Sequence, residues 1–145
     1  DNVLLLLAEG ADTAARDEAG ENPLMKSIRN GRVSVARLLL DQTGNLQTAN
    51  QEGQTALHLA AAEDLPDIAA ALIRRKADLN RPDRQGDTPL MLAVESGSKR
   101  TIILLAERGA DLKAKNKEGK TALDLAREKR LGNVVEYLER KMGKP

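Results

Sequence analysis

Residues 50–60, NQEGQTALHLA, recur 33 residues later as residues 83–93, DRQGDTPLMLA. The turn in this stretch, an Asp or Asn followed three residues later by Gly, occurs four times, with its glycines at Gly20, Gly53, Gly86 and Gly119. A period of about 20 to 50 residues indicates one supersecondary unit copied along an axis. The chain is therefore predicted to be a tandem array, so the first functional question concerns its surface.

Other columns of residues repeat in phase with the turn glycines. One leucine column is Leu24, Leu57, Leu90 and Leu123, and another is Leu6, Leu39, Leu72, Leu105 and Leu138. Small residues form a further column, which is Ser27, Ala60, Ala93 and Ala126. Because these columns agree in phase, the glycine spacing is not a chance alignment.

Composition excludes several classes of protein. The 145 residues include 23 basic and 22 acidic ones, a net charge of +1 that gives no general reason to expect nucleic acid or an anionic membrane as partner. Cysteine is absent, which excludes disulfides, thiolate metal sites and a cysteine nucleophile. The longest aliphatic run, residues 3–7, is far shorter than the roughly 20 residues that span a bilayer. No membrane span is expected.

Each unit is predicted to be a turn followed by two helices. The first helices are expected to begin after the N-cap residues Asn22, Thr55, Thr88 and Thr121, with proline at the first helical position in two repeats. The second helices are expected at about Val33–Gln42, Pro66–Arg75, Lys99–Arg108 and Gly132–Lys141. Residues 3–12 match residues 102–111 and are expected to form the second helix of a partial repeat.

The motifs TPLMLA at residues 88–93 and TALHLA at residues 55–60, with Gly-Ala-Asp at residues 109–111, resemble the ankyrin repeat. The resemblance covers nearly the whole chain. It implies an all-α solenoid of helix-turn-helix pairs joined by β-turn or hairpin loops. The expected array spans residues 1–145, with a partial repeat at 1–16, repeats at 17–49, 50–82 and 83–115, and a C-terminal capping repeat at 116–145.

Two helix ends and the last repeat depart from the family pattern. Thr43 and Lys76 stand where glycine is preferred, which is expected to cost up to about 1 kcal/mol each. In the last repeat, Arg127 and Glu136 are among the charged residues in the two helices, several of which occupy columns that are apolar elsewhere. A terminal repeat needs such a polar outer face for solubility.

Catalytic interpretations find little support in the sequence. His58, the single histidine, lies three residues after Thr55, where a polar side chain can reach back to the helix start as in a capping box; Asp124 stands in the same relation to Thr121. Carboxylate pairs such as Glu63 and Asp64 lack a motif that places them beside a nucleophile, and no phosphate loop, dinucleotide fingerprint or metal-ligand cluster is present. The protein is predicted not to be an enzyme and to bind no cofactor or metal.

The ankyrin resemblance implies that turn tips and the exposed face of the first helices recognise a partner protein. Carried over column by column, the expected partner-binding residues are Arg16, Glu18, Glu21, Arg29, Asn30, Gln51, Glu52, Gln54, Glu63, Arg84, Gln85, Asp87, Glu95, Lys117 and Lys120. The tips run from acidic at Glu18 and Glu21 to basic at Lys115, Lys117 and Lys120, a polarity that would orient a partner more than raise its affinity.

Three functions are compatible with this surface. The favoured one is a protein-binding module that is monomeric alone. The second is an inhibitor or immunity-type antidote, which blocks the active-site cleft of a partner enzyme such as a hydrolase. The third is binding of an anionic surface or nucleic acid by the Lys-rich C-terminal end, although nucleic acid is not the expected partner. The compartment is open between the cytoplasm and, if a signal peptide was removed before Asp1, a bacterial periplasm.

Overall fold

The computed structural model describes residues 15–143, and within this range it contains eight helices and no strand. The expected helix at residues 3–12 lies outside the described residues. The helices are α1 (Pro23–Arg29), α2 (Val33–Gln42), α3 (Ala56–Ala62), α4 (Pro66–Arg74), α5 (Pro89–Ser96), α6 (Lys99–Glu107), α7 (Ala122–Glu128) and α8 (Gly132–Lys141).

The helices are arranged as four pairs stacked along one axis. Each first helix packs against its own second helix and against the first helices of the adjacent repeats. The second helices contact one another in the same order, so α2, α4, α6 and α8 form a parallel layer. The predicted all-α solenoid is therefore confirmed.

Local signals at the helix starts act as the sequence predicts. The side chain of Asn22 accepts a hydrogen bond from the Met25 amide at 2.9 Å, and the Thr121 hydroxyl accepts one from the Asp124 amide at 3.2 Å. Pro23 and Pro89 occupy the first position of their helices, where a missing N–H costs no hydrogen bond. These caps fix where each first helix begins relative to its turn.

The core is a repeated thin layer of aliphatic side chains. Every described member of the two leucine columns is at most 3% exposed. The small-residue column, Ser27 to Ala126, is also buried, which lets neighbouring layers approach closely. This packing places the turns of successive repeats side by side along one edge of the array.

The four turns share one hydrogen-bond pattern. In the second of them, the Asn50 side-chain oxygen accepts from the amides of Glu52 and Gln54, both at 2.9 Å, and the Gly53 amide donates to the Asn50 carbonyl at 2.9 Å. The equivalent bonds recur at Asp17, Asp83 and Asn116. The turn glycines have φ between 75° and 81°, a left-handed conformation that glycine adopts without a Cβ clash.

Backbone hydrogen bonds also join each turn to the next. The amides of Gln51, Arg84 and Lys117 donate to the carbonyls of Ala19, Glu52 and Gln85 at 2.9, 2.9 and 3.0 Å. We call this series the tip ladder. Because it uses main-chain atoms, it sets the spacing of the tips without consuming their side chains.

The two helix ends that lack the preferred glycine behave differently. Lys76 has φ of 69°, so a non-glycine residue does occupy a left-handed position there. The expectation for Thr43 is wrong, because its φ is −92° and its backbone is extended. The Thr43 hydroxyl donates to the Leu39 carbonyl at 2.6 Å, which satisfies the end of α2 without a left-handed residue.

Replacing Lys76 by glycine is expected to stabilise the array by about 0.5–1 kcal/mol, because the left-handed strain exceeds the extra chain entropy of glycine. Thr43→Gly is the matched control one repeat earlier, and it should destabilise, since it removes the hydroxyl bond to Leu39 and relieves no strain. Urea denaturation of both variants measures the difference. A loss of stability in Lys76→Gly would show that the left-handed conformation of Lys76 is not strained.

Candidate partner-binding surface

The predicted partner-binding residues occupy the tips and the C-terminal ends of the first helices. Arg29 ends α1, Asn30 and Glu63 follow α1 and α3 as C-caps, and Glu95 lies in the last turn of α5. The remaining predicted residues flank the four turns. All fifteen except Glu21 have exposed or half-exposed side chains.

Six predicted residues from two adjacent tips surround one groove. Its lining is Gln51, Glu52, Gln54, Asp83, Arg84, Gln85, Asp87 and Leu92, and its volume is about 470 Å³. We call it the tip groove. Polar groups form most of its lining, with the half-buried Leu92 as the apolar contribution. The other nine predicted residues lie outside this lining.

Three side chains of the tip groove have no hydrogen-bonding or ionic partner in the described part of the chain. Glu52, Arg84 and Gln85 are exposed and form no side-chain hydrogen bond or ion pair with any residue in the described range 15–143. Glu52 and Arg84 are directly joined through the tip ladder, since the Arg84 amide donates to the Glu52 carbonyl. Two opposite charges thus lie on adjacent tips without neutralising each other.

Other predicted residues already have partners within the array. Arg16 donates to the carbonyls of Gly20 and Ala49, at 3.0 and 2.6 Å, and Gln51 donates to the Glu18 carbonyl. Glu95 pairs with Lys129 at 3.2 Å. These contacts hold neighbouring repeats together, and a partner would have to share or displace them.

Glu21 differs most from the expectation of an exposed tip residue. Its side chain is 4% exposed, forms an ion pair with Arg29 and accepts a hydrogen bond from the Asn50 amide group at 3.0 Å. The Arg29 guanidinium, with help from Asn50, holds the pKa of the Glu21 carboxyl below its usual range. Glu21 therefore links the first two described repeats.

A similar contact between repeats recurs further along, and the sequence contained a signal for it. The Asn116 amide group donates to the Asp87 carboxylate at 3.0 Å, as Asn50 does to Glu21. Each turn that begins with Asn follows an acidic residue 29 positions earlier, whereas the turn that begins with Asp83 follows Gln54 at that position. The pairing of an acid with an amide avoids placing two carboxylates together.

Burial affects Asp87 differently from Glu21. Desolvation raises the pKa of the Asp87 carboxyl, although its bond from Asn116 acts in the opposite direction. The two acidic residues therefore share a contact pattern between repeats but differ in electrostatic environment.

The charge gradient along the tips is weaker than the sequence indicates. Glu21 is paired with Arg29 at one end, and Lys120 pairs with Glu128 at 2.9 Å and with Glu118 at 3.6 Å at the other. At the two ends of the gradient, Glu18, Lys115 and Lys117 keep charges without an ion pair among residues 15–143. The polarity of the surface therefore depends on fewer residues than expected.

Arg29→Gln is expected to destabilise the array by about 1–3 kcal/mol, because it leaves the buried Glu21 carboxylate with one neutral partner; the partial exposure of Arg29 limits the cost. Lys26→Gln is the matched control, since Lys26 pairs with the less buried Asp17 at 3.1 Å, and it should destabilise clearly less than Arg29→Gln. Urea denaturation at neutral pH measures both.

Acid titration of the same variants provides a second test. A carboxyl with a lowered folded-state pKa stabilises the protein above its unfolded pKa, and this stability is lost as pH falls through the folded pKa. Without Arg29, less of this stability exists to be lost. The acid-induced loss should therefore be smaller in Arg29→Gln than in the parent, and an equal loss would contradict the role given to the pair.

His58 has a structural position. It is fully buried, its Nδ1 accepts from the Thr55 amide at 3.1 Å, and its Nε2 lies 3.1 Å from the Asp87 carbonyl, to which it donates in the neutral form. The capping boxes predicted at Thr55 and Thr121 are both present. Both ring nitrogens are thus occupied by backbone groups.

No group of three or more His, Cys, Asp or Glu side chains among residues 15–143 is arranged to hold a metal ion. Within the same range, every helix is too short or too polar to cross a membrane.

Comparison with known proteins identifies the family. A model described as ankyrin repeats (3 copies) matches residues 1–83, and one described as ankyrin repeats (many copies) matches residues 72–126. The chain is 41% identical over 66 residues to a probable E3 ubiquitin-protein ligase, XBOS33, of Oryza sativa subsp. japonica, a match that covers 45% of the chain and 13% of that protein.

A second relative is the B-cell lymphoma 3 protein homolog of Mus musculus, 38% identical over 64 residues, or 43% of this chain and 14% of that protein. The matches therefore span a small part of both relatives. Ankyrin repeats are typically modules without enzymatic activity that bind other proteins. Because the first of these models matches more than half of the chain, this chain belongs to the ankyrin-repeat family.

Proposed function

We propose that this protein binds a partner protein through the tip groove and the tips beside it. The observation that carries the proposal is the set of exposed side chains without internal partners, Glu52, Arg84 and Gln85, on two adjacent tips. The tip ladder holds their backbones in place, so binding orders fewer groups than it would on a mobile loop.

The groove favours a polar partner surface. Three carboxamides, three carboxylates and one guanidinium line it, and Leu92 offers one apolar contact. Such a lining binds through hydrogen bonds and complementary charges, which confer specificity and speed of association. The large aromatic anchors typical of interface hot spots have to come from the partner, since the chain contains a single aromatic residue.

The test exchanges the two free charges of the groove. Glu52→Lys combined with Arg84→Glu preserves net charge and touches no side-chain contact. Its matched control is Asp41→Lys combined with Arg74→Glu, an exchange of exposed charges on α2 and α4 in adjacent repeats. A partner recovered by co-purification is then titrated against all three proteins by calorimetry.

The expected result is a loss of affinity of roughly tenfold or more for the groove variant, and less than about twofold for the control. Equal affinities in the parent and the groove variant would refute this surface. Equal losses in both variants would show that binding responds to charge anywhere on the array. Melting temperatures of the variants verify that each remains folded.

An inhibitory function would use the same surface. If the partner is an enzyme, its activity is assayed with increasing amounts of the parent protein and of the groove variant. Inhibition by the parent that the groove variant loses would support an antidote role, and full activity in the bound enzyme would support a scaffold.

The proposal also treats the free protein as a monomer, since Leu38, 44% exposed, is the one large hydrophobic residue exposed among the described residues. Sedimentation measures its mass.

A further inference from the structure

Three lysines alternate along the segment that leads into the last tip. Lys113, Lys115 and Lys117 are exposed, whereas the intervening Ala114 and Asn116 are half-buried. This alternation places the three lysines on the outer side of the segment. We call them the lysine row.

The lysine row differs from the other lysines of the same repeat. Lys120 pairs with Glu128 and Glu118, and Lys129 pairs with Glu95 at 3.2 Å. The side chains of Lys113, Lys115 and Lys117 form no hydrogen bond or ion pair with any residue between positions 15 and 143. The Lys-rich end thus contains lysines in ion pairs and a row without ion pairs, in which Lys115 interacts at longer range with the Asp124 carboxylate.

Folding gives no reason for these three charges. The equivalent residues are Gln47, Ala49 and Gln51 two repeats earlier, and Asn80, Pro82 and Arg84 one repeat earlier. Two of those residues join repeats through their side chains: Gln51 donates to the Glu18 carbonyl, and Asn80 accepts from the Asp111 amide at 2.7 Å. In the lysine row the side chains make no such contact, and like charges so close repel one another.

We propose that the lysine row docks an extended acidic segment of a partner protein. An extended chain places alternate side chains on one face about 6.6 Å apart, which suits a row of cations spaced at every second residue. Carboxylates at alternate positions of the segment would each meet one lysine. This surface is separate from the tip groove and does not depend on the groove being a binding site.

The charges around the row favour a protein segment over nucleic acid. Glu118 follows Lys117 directly and is exposed, and the nearby Lys120 is neutralised. Nucleic-acid binding relies on many phosphate contacts with a broad basic surface, whereas the whole chain has a net charge of +1. A short acidic segment needs only the three lysines.

The test uses synthetic peptides and two triple variants of the whole chain. The probe peptide carries glutamate at alternate positions, and its control has the same composition with the glutamates contiguous. The row variant is Lys113→Gln, Lys115→Gln and Lys117→Gln. The matched control is Lys99→Gln, Arg100→Gln and Arg108→Gln, which removes three exposed cations without ion pairs from α6 and its C-terminal end.

Fluorescence anisotropy should show that the alternating peptide binds the parent and the control variant alike, with affinity falling as salt rises. The row variant should bind it roughly tenfold more weakly, as expected for three exposed ion pairs. The contiguous peptide should bind the parent more weakly than the alternating one.

Several results would overturn the proposal. Undetectable binding of the alternating peptide, equal binding by parent and row variant, or an equal loss in the control variant would each do so. Tighter binding of a single-stranded oligonucleotide with the same charge would assign the row to nucleic acid instead. If the row variant binds the peptide as tightly as the parent does, while the groove exchange still weakens binding of the natural partner, the lysine-row proposal is refuted and the tip-groove proposal stands.

Discussion

Gly86→Ala is expected to destabilise the array by about 3 kcal/mol, against about 1 kcal/mol for Gly119→Ala. Both glycines have nearly the same positive φ, 79° and 77°, so the conformational cost of alanine is shared. They differ in their surroundings. A Cβ at Gly86 would lie 2.8 Å from the Lys117 amide nitrogen and 3.0 Å from the Asn116 Cα, whereas a Cβ at Gly119 would meet nothing within 4 Å.

The backbone of the next tip cannot rotate away from such a contact as a side chain could. The alanine must therefore push two tips apart and weaken the bond from Lys117 to Gln85 in the tip ladder. In repeat proteins stability is approximately the sum of repeat and interface energies, so this part of the cost belongs to the interface. Gly53→Ala should fall between the two, because its nearest contact is at 3.0 Å.

Urea denaturation of the three alanine variants measures the order. Gly119→Ala serves as the internal control, since it has the strained conformation without the crowding. Equal losses for Gly86→Ala and Gly119→Ala would show that adjacent tips separate at little cost. The tips would then not form a rigid row, and the basis for the tip groove would be removed.

His58→Leu is expected to cost about 2–4 kcal/mol, because leucine leaves the buried Thr55 amide without its acceptor and removes the donor to the Asp87 carbonyl. The carbonyl of Asp87 keeps its bond from the Asp83 amide at 2.9 Å, so the Thr55 amide accounts for much of the loss. The variant should unfold at lower urea concentration than the parent.

His58 should also make stability depend on pH just below neutrality. Burial lowers the pKa of His58, so the unfolded chain takes up a proton first as pH falls through about 6.5. The unfolded state then binds more protons, and stability falls with pH until the folded histidine is also protonated. Protonation would direct the Nδ1 hydrogen at the Thr55 amide, with which it cannot bond.

His58→Gln provides the control for the pH effect. Glutamine does not titrate, and its side-chain oxygen retains a possible acceptor for the Thr55 amide. Because His58 is the single histidine, the loss of stability between about pH 7 and pH 6 should disappear in this variant. A parent protein whose stability is constant over that interval would contradict the stated cause.

The 33-residue period made most of the fold predictable. N-caps, prolines and turn glycines each act within a few residues of the chain. Two of the second helices end at Arg74 and Glu107, one residue before the expected Arg75 and Arg108. Thr43 was wrongly predicted because a side-chain hydroxyl satisfied the helix end in place of a left-handed residue. Comparing equivalent positions of the repeats shows where a helix ends. It does not show whether a left-handed residue or a side-chain hydroxyl satisfies that helix end.

The surface was less predictable because exposure depends on contacts between repeats. Glu21 occupies a tip column, yet Asn50 from the next repeat covers it, while the equivalent Gln54 stays half-exposed. Comparison of residues 29 positions apart, instead of 33, would have indicated this pairing. The partner-binding roles of the fifteen residues stay predictions, and the experiments above concern those with free side chains.

The tip ladder has a consequence for protein engineering. Since the main-chain bonds of the tip ladder do not use the side chains of Glu52, Arg84 and Gln85, these three positions can be randomised without altering the backbone that presents them. A display library built at these positions would vary chemistry on a constant geometry. Selection from it would yield new ligands for this scaffold, provided that the four turn glycines and the amides of Asn50 and Asn116 are kept.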